Sequence, residues 1–275
     1  MEKYVFSEVL EKKIGGFMTG EDFQKVVSAY YRFYPDAEVI SVKILVTDDL
    51  NRTHSEIRPE CKEYLLSERP QQDGNGRMVA PISLDEPMYI LMNKYKIIEY
   101  FESGTWMGTI AHELTHAIDY YQFARRENLA NYDIIDTDEK YNVFRLWSEY
   151  HARKKAYKFL TAIMSRKCFS SPEEHLKHIR EEEWPFQKNL FLSNYENCSR
   201  DYDKIYFVMN LLGRYSVWCD LFPDSFTENS IIEDLEEFSW PRSLLRFLRS
   251  HETLETMYDD FGELDNLLWD YWIDF

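Results

Sequence analysis

Glycine and proline are scarce in this sequence, with 9 Gly and 9 Pro in 275 residues. Turn-rich β-sandwiches and barrels need more of both, so this composition favours long helices over an all-β fold. The chain has ample apolar mass for a packed core, because 44% of its residues are hydrophobic and 16% are aromatic. We therefore expect an α+β protein that is mostly helical and forms one compact unit or two closely packed lobes.

Cysteine is also rare. The four cysteines, Cys61, Cys168, Cys198 and Cys219, are widely spaced, and none belongs to a CxxC pair. This excludes a disulfide framework and a CxxC zinc or redox motif. No apolar run is long enough to span a membrane, and the amino terminus lacks the pattern of a signal peptide. These absences predict a cytoplasmic protein with reduced thiols and no membrane partner.

Basic residues are outnumbered by acidic ones. The chain has 32 Lys and Arg against 49 Asp and Glu, which gives a formal net charge of −17. An acidic surface repels phosphate backbones at long range. We therefore expect no nucleic-acid partner.

The pattern of hydrophobic residues divides the chain into two parts. Residues 38–47 and Met88–Asn93 have the composition of strands, while residues 69–77 have the turn chemistry of a loop. The remainder is predicted to be helical at residues 19–33, 103–126, 138–166, 171–192 and 201–219, with shorter helices after Asn229 and Pro241. This predicts residues 1–103 as helices with a small β-sheet and residues 104–275 as a helical part, with a boundary near Ser103.

One motif carries specific chemistry. The sequence His112-Glu113-Leu114-Thr115-His116 matches the pattern HExxH. Residues four apart lie on one face of an α-helix, so the two imidazoles can bind one metal ion while Glu113 activates a metal-bound water. The apolar residues of the same helix fall on the opposite face, so the histidines are not part of an ordinary apolar stripe. Those apolar residues are Met107, Ile110, Ala111, Leu114, Ala117, Ile118 and Tyr121.

Catalytic zinc usually has three protein ligands, so a third is needed. The next predicted helix contains Glu149 and His151, which lie two residues apart and face nearly opposite directions. Glu149 falls within an apolar stripe, whereas lysines surround His151 and predict a solvated side. The stripe contains Leu146, Ala152, Ala156, Leu160, Ile163 and Met164, and the lysines are Lys154, Lys155 and Lys158. This favours Glu149 as the third ligand.

Two alternatives to this ligand set stay open. A buried carboxylate needs a positive partner, and a salt bridge from Glu149 to Arg153 or Arg145 would provide one without zinc. Asp119 is a rival ligand, because it lies on the histidine face one turn later. An acid at that position more often orients a ligand histidine than binds the metal itself.

The segment AHELTHAIDY, residues 111–120, followed later by Glu149-x-x-Ala152, resembles the glutamate-zincin (gluzincin) metallopeptidases. The first segment is similar to the active-site helix of thermolysin-like enzymes. The second is similar to the small intracellular peptidases of the ImmA/IrrE type, which cleave phage repressors or stress regulators. Arg153 departs from the thermolysin-like pattern, in which an acid stands one turn after the ligand.

By this resemblance His112, His116 and Glu149 are zinc ligands and Glu113 is the general base. It implies a zincin-like fold and a zinc-dependent metallopeptidase that acts on a peptide or protein substrate. Zinc would polarise the scissile carbonyl, and Glu113 would pass a proton from water to the leaving amine. One alternative is a regulatory protein that keeps the scaffold to bind a partner with little or no hydrolysis. Another is a metal-dependent hydrolase of non-peptide amides.

Zincins commonly bind extended substrate on an edge strand above the metal by main-chain pairing. Met88–Asn93 lies shortly before the motif and is the expected edge strand, with an ordinary core strand as the alternative. The oxyanion-stabilising residue stays open among 20 tyrosines and the pair His175 and His178. That pair lies in a charged stretch, which predicts a solvated helix face.

Overall fold

The computed structural model describes residues 4–6, 20–67, 74–132, 135, 138–199, 201–235 and 241–273. These residues form mainly helices, with a small mixed sheet in the amino-terminal half. The expected α+β, mostly helical class is confirmed. No helix in the described ranges combines the length and apolar character needed to cross a membrane.

The chain divides into two compact units, Met1–Asp138 and Glu139–Phe275. This division differs from the predicted boundary near Ser103. The helix that carries the HExxH motif belongs to the first unit, because it packs on two strands and on the first helix of that unit. The second unit is entirely helical in its described residues.

The first unit contains four strands and five α-helices in its described residues. In chain order they are β1 (Tyr4–Phe6), α1 (Gly20–Phe33), β2 (Val42–Thr47), α2 (Leu50–Ile57), α3 (Lys62–Ser67), β3 (Gly76–Val79), β4 (Met88–Asn93), α4 (Lys94–Glu99) and α5 (Thr105–Arg126). A 3-10 turn, Pro59–Cys61, links α2 to α3.

The sheet has the strand order β1-β2-β4-β3. Strand β4 pairs in parallel with β2, with Val42 opposite Met88, and antiparallel with β3, with Met78 opposite Ile90. The prediction that Met88–Asn93 is an edge strand is therefore wrong, since both sides of β4 are paired. The edge next to it is β3, which overlaps the segment predicted as a loop.

Helix α5 packs closely on this edge strand at Gly76. A Cβ atom on Gly76 would lie 2.7 Å from Thr109 Cγ2 and 2.9 Å from the main-chain oxygen of Leu91. Only glycine allows strand and helix to approach this closely. On α1, the buried Tyr30 forms a 2.8 Å hydrogen bond between its hydroxyl and Thr115 Oγ1. Helix α5 is therefore held by both the sheet and α1.

The second unit is built around a long helix. Its elements are α6 (Tyr141–Cys168), α7 (Pro172–His178), a π-helical turn (Ile179–Glu183), α8 (Trp184–Asn197), α9 (Asp201–Leu221), α10 (Ser230–Asp234), α11 (Pro241–Ser250), α12 (Leu254–Met257), a 3-10 turn (Tyr258–Asp260) and α13 (Phe261–Ile273). Aromatic side chains such as Trp147, Tyr150, Tyr215 and Trp218 are fully buried in its core.

Helices α6 and α9 pack closely where α9 has a glycine. A Cβ atom on Gly213 would lie 2.8 Å from the main-chain oxygen of Tyr150 and 2.9 Å from Arg153 Cβ. A buried hydrogen bond of 3.0 Å from the Tyr150 hydroxyl to Ser216 Oγ joins the same two helices.

The helix predicted at residues 171–192 is interrupted. It begins as expected, because Ser171 Oγ accepts a hydrogen bond from the main-chain nitrogen of Glu174. The π-helical turn Ile179–Glu183 then separates α7 from α8, which has Pro185 in its first turn. Proline has no N–H, so Pro185 cannot donate a main-chain hydrogen bond to the preceding turn. The missing bond lies where the π-helical turn changes to the α-helix α8.

Candidate metal centre

The HExxH motif lies at the centre of α5, and most of its side chains are shielded from solvent. His112 and Glu113 are buried, and His116 is half-buried. The apolar residues Ile110, Leu114 and Ala117 are buried as well. The helix therefore places the polar side chains of the motif in the interior, where charged groups need compensation.

The two imidazoles converge on one point. Their Nε2 atoms lie 3.1 Å apart, and the ring planes are nearly perpendicular at 89°. Two nitrogens that each bind a tetrahedral zinc at about 2.0–2.1 Å lie roughly 3.3 Å from each other. The distance in this protein is close to that value, so His112 and His116 could hold one metal ion with little movement.

Glu113 is held by the main chain of the edge strand. Its Oε2 accepts a 2.7 Å hydrogen bond from the main-chain nitrogen of Met78 in β3. The main-chain nitrogen of Asn93 in β4 donates a hydrogen bond to the main-chain oxygen of Asn75. Successive residues of an antiparallel strand direct their main-chain groups alternately toward and away from the partner strand. Met78, three residues after Asn75, therefore directs its main-chain groups away from β4. The close approach at Gly76, where a Cβ atom would also lie 3.4 Å from Glu113 Cγ, makes this contact possible.

Asp119, the rival ligand, is buried on α5 near Tyr30 of α1. Burial raises the pKa of Tyr30 well above its ordinary value, and the charges of Tyr34 and Asp119 raise it further, while the hydrogen bond to Thr115 lowers it. The carboxylate of Asp119 thus acts electrostatically on α1.

Glu149 is buried on α6 in the second unit, with 6% of its surface exposed. Leu146, Ala152 and Ala156 of the predicted apolar stripe are buried with it. Arg153 Nη2 lies 3.7 Å from Glu149 Oε1, so the salt bridge that the sequence left open is present. This ion pair compensates the carboxylate through charge, at a distance too long for a strong hydrogen bond.

The predicted solvated side around His151 is wrong. His151 is only 5% exposed and stacks on Trp147, with ring centroids 4.8 Å apart. Lys154 is 4% exposed, because its Nζ lies 2.6 Å from Glu252 and 3.4 Å from Asp220. Paired charges and an aromatic neighbour therefore allow this side of α6 to be buried.

The face with His175 and His178 also differs from the prediction. His175 is buried and stacks on Phe169, with ring centroids 4.5 Å apart. Burial lowers the pKa of His175, and the nearby His178 lowers it further. His178 remains partly exposed beside Glu182. Only His178 fits the expected solvated face.

The sequence did not predict that β3 contributes a hydrogen bond to the site. The contact with Glu113 uses a main-chain nitrogen, which any residue except proline would offer, so the identity of Met78 gives no signal. Gly76 is the one usable signal, because an isolated glycine beside a short apolar run is typical of close backbone approach.

No protein-family model, curated protein or solved structure matches the chain. The resemblance to the gluzincins therefore rests on the HExxH motif of α5 and on the segment around Glu149.

Proposed function

We propose that this protein is a zinc-dependent metallopeptidase of the gluzincin type with a zincin-like arrangement of strand and helix. The observation that carries the proposal is the 3.1 Å separation of the two imidazole Nε2 atoms on α5. Glu113 lies between these histidines in sequence and is oriented by the edge strand. This combination fits metal-assisted hydrolysis better than it fits a structural histidine pair.

His112, His116 and Glu149 would hold the zinc ion. Two imidazoles and one carboxylate are a donor set that zinc accepts, and they leave one position for water or substrate. The ion pair with Arg153 would then keep the Glu149 carboxylate ionised and oriented, as hydrogen-bond partners of metal ligands commonly do.

The chain's own catalytic group would be Glu113. Zinc, when bound, would supply a Lewis acid for the scissile carbonyl and for the attacking water. Glu113 would take a proton from that water and later give it to the leaving amine. The 2.7 Å hydrogen bond from Met78 fixes one carboxylate oxygen, and the proton would be exchanged at the carboxylate.

A peptide is the substrate class that the edge strand favours. At the edge of the sheet next to the motif, Met78 in β3 directs its main-chain groups outward, where its N–H bonds to Glu113 and its carbonyl oxygen would be the group that pairs with a peptide. An extended peptide could pair with this edge, as in other cases of strand addition. In this proposal β3 takes the role that the sequence assigned to Met88–Asn93.

A regulatory protein that binds a partner with little or no hydrolysis is the second candidate. The observation in its favour is the ion pair between Glu149 and Arg153, which compensates the carboxylate without a metal. Two measurements distinguish the two functions: whether each chain binds one zinc ion, and whether replacement of Glu113 slows peptide cleavage.

The cytoplasmic location also remains a proposal. No disulfide joins the four cysteines, all of which lie within the described residues. Unpaired thiols are typical of reducing compartments.

Metal analysis of the full chain tests the proposed site. We expect one zinc per chain by inductively coupled plasma mass spectrometry, and loss of this zinc in the double variant His112→Ala/His116→Ala. The matched control is His178→Ala, since His178 is partly exposed in the second unit and contacts Glu182 and the ring of Phe169. Equal zinc in the double variant and the control would contradict the site, provided that circular dichroism shows both variants folded.

A further inference from the structure

The second unit contains a cavity that includes none of the proposed zinc ligands, although Arg153 in its lining is also the ion-pair partner of Glu149. Its volume is about 220 Å³, and it lies among α6, α8 and α9. Both charged residues in its lining are arginines, Arg153 and Arg214. Small-molecule sites are typically cavities with a mostly apolar lining and a few convergent polar groups. The arginines supply that feature.

Arg214 has no hydrogen bond and no ion pair among the described residues. Its guanidinium contacts the Tyr157 ring, at 5.7 Å from the ring centroid. The pKa of Arg214 is lowered to about 10, mainly by burial and also by the charge of Arg153, while Tyr157 and Glu183 oppose the shift. A guanidinium offers five N–H donors, and those of Arg214 have no hydrogen-bond acceptor among the described residues.

Arg153 is more constrained than Arg214. Its Nε donates a 2.6 Å hydrogen bond to Asn210 Oδ1, and its Nη2 lies 3.7 Å from Glu149. The stem of Arg153 packs against α9 at Gly213, where a Cβ atom would lie 2.9 Å from Arg153 Cβ. The fold therefore holds one arginine rigidly beside a second, Arg214, that forms no direct ion pair among the described residues and feels the charge of Glu183 only through space.

The lining of the cavity also has an apolar part, beside the amides of Gln187, Asn194 and Asn210. Leu190 and Tyr206 line the cavity and are 44% and 37% exposed. Phe191 and Phe207 extend the apolar lining. A ligand that fits this lining combines an anionic group, which meets the arginines, with an apolar body, which meets the rim.

We propose that this cavity binds the carboxylate or phosphate group of a small organic anion with an apolar body. An oxyanion between the two guanidinium groups would satisfy the donors of Arg214 and remove the repulsion between the two cations. This site is separate from the proposed peptidase function and does not rest on it.

Thermal unfolding and calorimetric titration of the full chain test the site. The probes are 3-phenylpropionate, phenyl phosphate and inorganic phosphate, with neutral 3-phenylpropanamide as the matched control at equal ionic strength. We expect 3-phenylpropionate or phenyl phosphate to raise the melting temperature and the amide to leave it unchanged. Tighter binding of 3-phenylpropionate would identify a carboxylate ligand, and tighter binding of phenyl phosphate would identify a phosphate ligand. Binding of inorganic phosphate as tight as that of phenyl phosphate would overturn the role of the apolar rim.

Variants place the binding in this cavity. Arg214→Gln should weaken binding by about tenfold or more, because a charged hydrogen-bonding partner is lost. Arg246→Gln should bind as the parent does, since the Arg246 side chain is 65% exposed and pairs with Glu228. Equal affinity in Arg214→Gln and the parent would overturn the proposal.

A second pair of variants leaves the interior untouched. Leu190 is exposed at the rim, so Leu190→Glu and Leu190→Gln should both fold. The glutamate should repel the anion and weaken binding several-fold, whereas the glutamine should change it less. If neither anion binds the parent, or if both Leu190 variants bind equally well, the site is not an anion site.

Discussion

The main-chain nitrogen of Met78 donates a 2.7 Å hydrogen bond to Glu113 Oε2. This bond joins the edge strand of the sheet to the carboxylate at the centre of the HExxH helix. It orients the proposed base through a main-chain group, which the backbone of β3 holds in place. Any movement of β3 relative to α5 would therefore move the proposed base.

Replacement of Glu113 by glutamine should separate metal binding from hydrolysis. Glu113→Gln keeps the size of the side chain, but an amide cannot take a proton from water. We expect parental zinc content with peptide cleavage slower by about 10²–10⁴-fold. Cleavage of a peptide library, followed by mass spectrometry, provides the measurement. Glu99→Gln on exposed α4 is the matched control, and parental cleavage by Glu113→Gln would contradict the mechanism.

Three alanine variants should identify the third zinc ligand. Glu149→Ala should weaken zinc affinity most, whereas Asp119→Ala should cost no more than about 10-fold to 100-fold, as a residue that orients a ligand does. His151→Ala should keep zinc but lose stability, because His151 stacks on Trp147. Zinc is titrated against a competing chelator, with folding checked for each variant. A larger loss in Asp119→Ala than in Glu149→Ala would exclude the gluzincin ligand set.

Addition of one methyl group at Gly76 should disturb the site without replacing any polar side chain. Gly76→Ala would place its Cβ 2.7 Å from Thr109 Cγ2 and 2.9 Å from the Leu91 oxygen. We expect the free energy of unfolding to fall by about 1–3 kcal/mol, with faster hydrogen exchange in β3 and α5. Gly262→Ala is the control, because no atom lies within 4 Å of its added Cβ. Equal stability of both variants would show that β3 does not pack on α5 in this way.

His54 should make the first unit less stable in acid. The pKa of His54 is lowered to about 4, mainly by burial and also by the charges of Arg77 and Arg58, while Glu60 opposes the shift. The unfolded chain therefore binds the proton more readily, so stability is complete above the ordinary pKa of about 6.5 and falls as the pH drops toward 4.

The size of this effect is roughly 2 kcal/mol once solvent screening of the partly exposed ring is allowed for. Urea unfolding at pH 7 and pH 5 measures it. The loss between these two conditions should be smaller in His54→Gln than in the parent. His178→Gln should behave as the parent does, and an unchanged pH dependence in His54→Gln would refute the assignment.

The sequence predicted the elements whose signals are local. The hydrophobic period of α5 and the apolar run of β4 indicated their bounds to within about two residues. The phase of Glu149 within its stripe correctly predicted that it is buried. These features depend on neighbouring residues, which a sequence displays directly.

Features that depend on distant residues were not predictable. Lys154 is buried because Glu252, 98 residues away, supplies its counter-charge. Strand β3 has four residues and follows a turn-rich segment, so its pairing with β4 determines its structure more than its composition does. The boundary between the two units depends in the same way on what α5 contacts.

The π-helical turn Ile179–Glu183 has a consequence for the register of α8. A π turn is equivalent to one inserted residue, and one residue corresponds to about 100° of rotation around an α-helix. Glu183 in this turn accepts a hydrogen bond from the Tyr157 hydroxyl, and the following face of α8 lines the arginine cavity. That face consists of Gln187, Leu190, Phe191 and Asn194. Deletion of a single residue from the turn would rotate a different set of side chains toward Arg214, so the length of this turn specifies which chemistry the cavity presents.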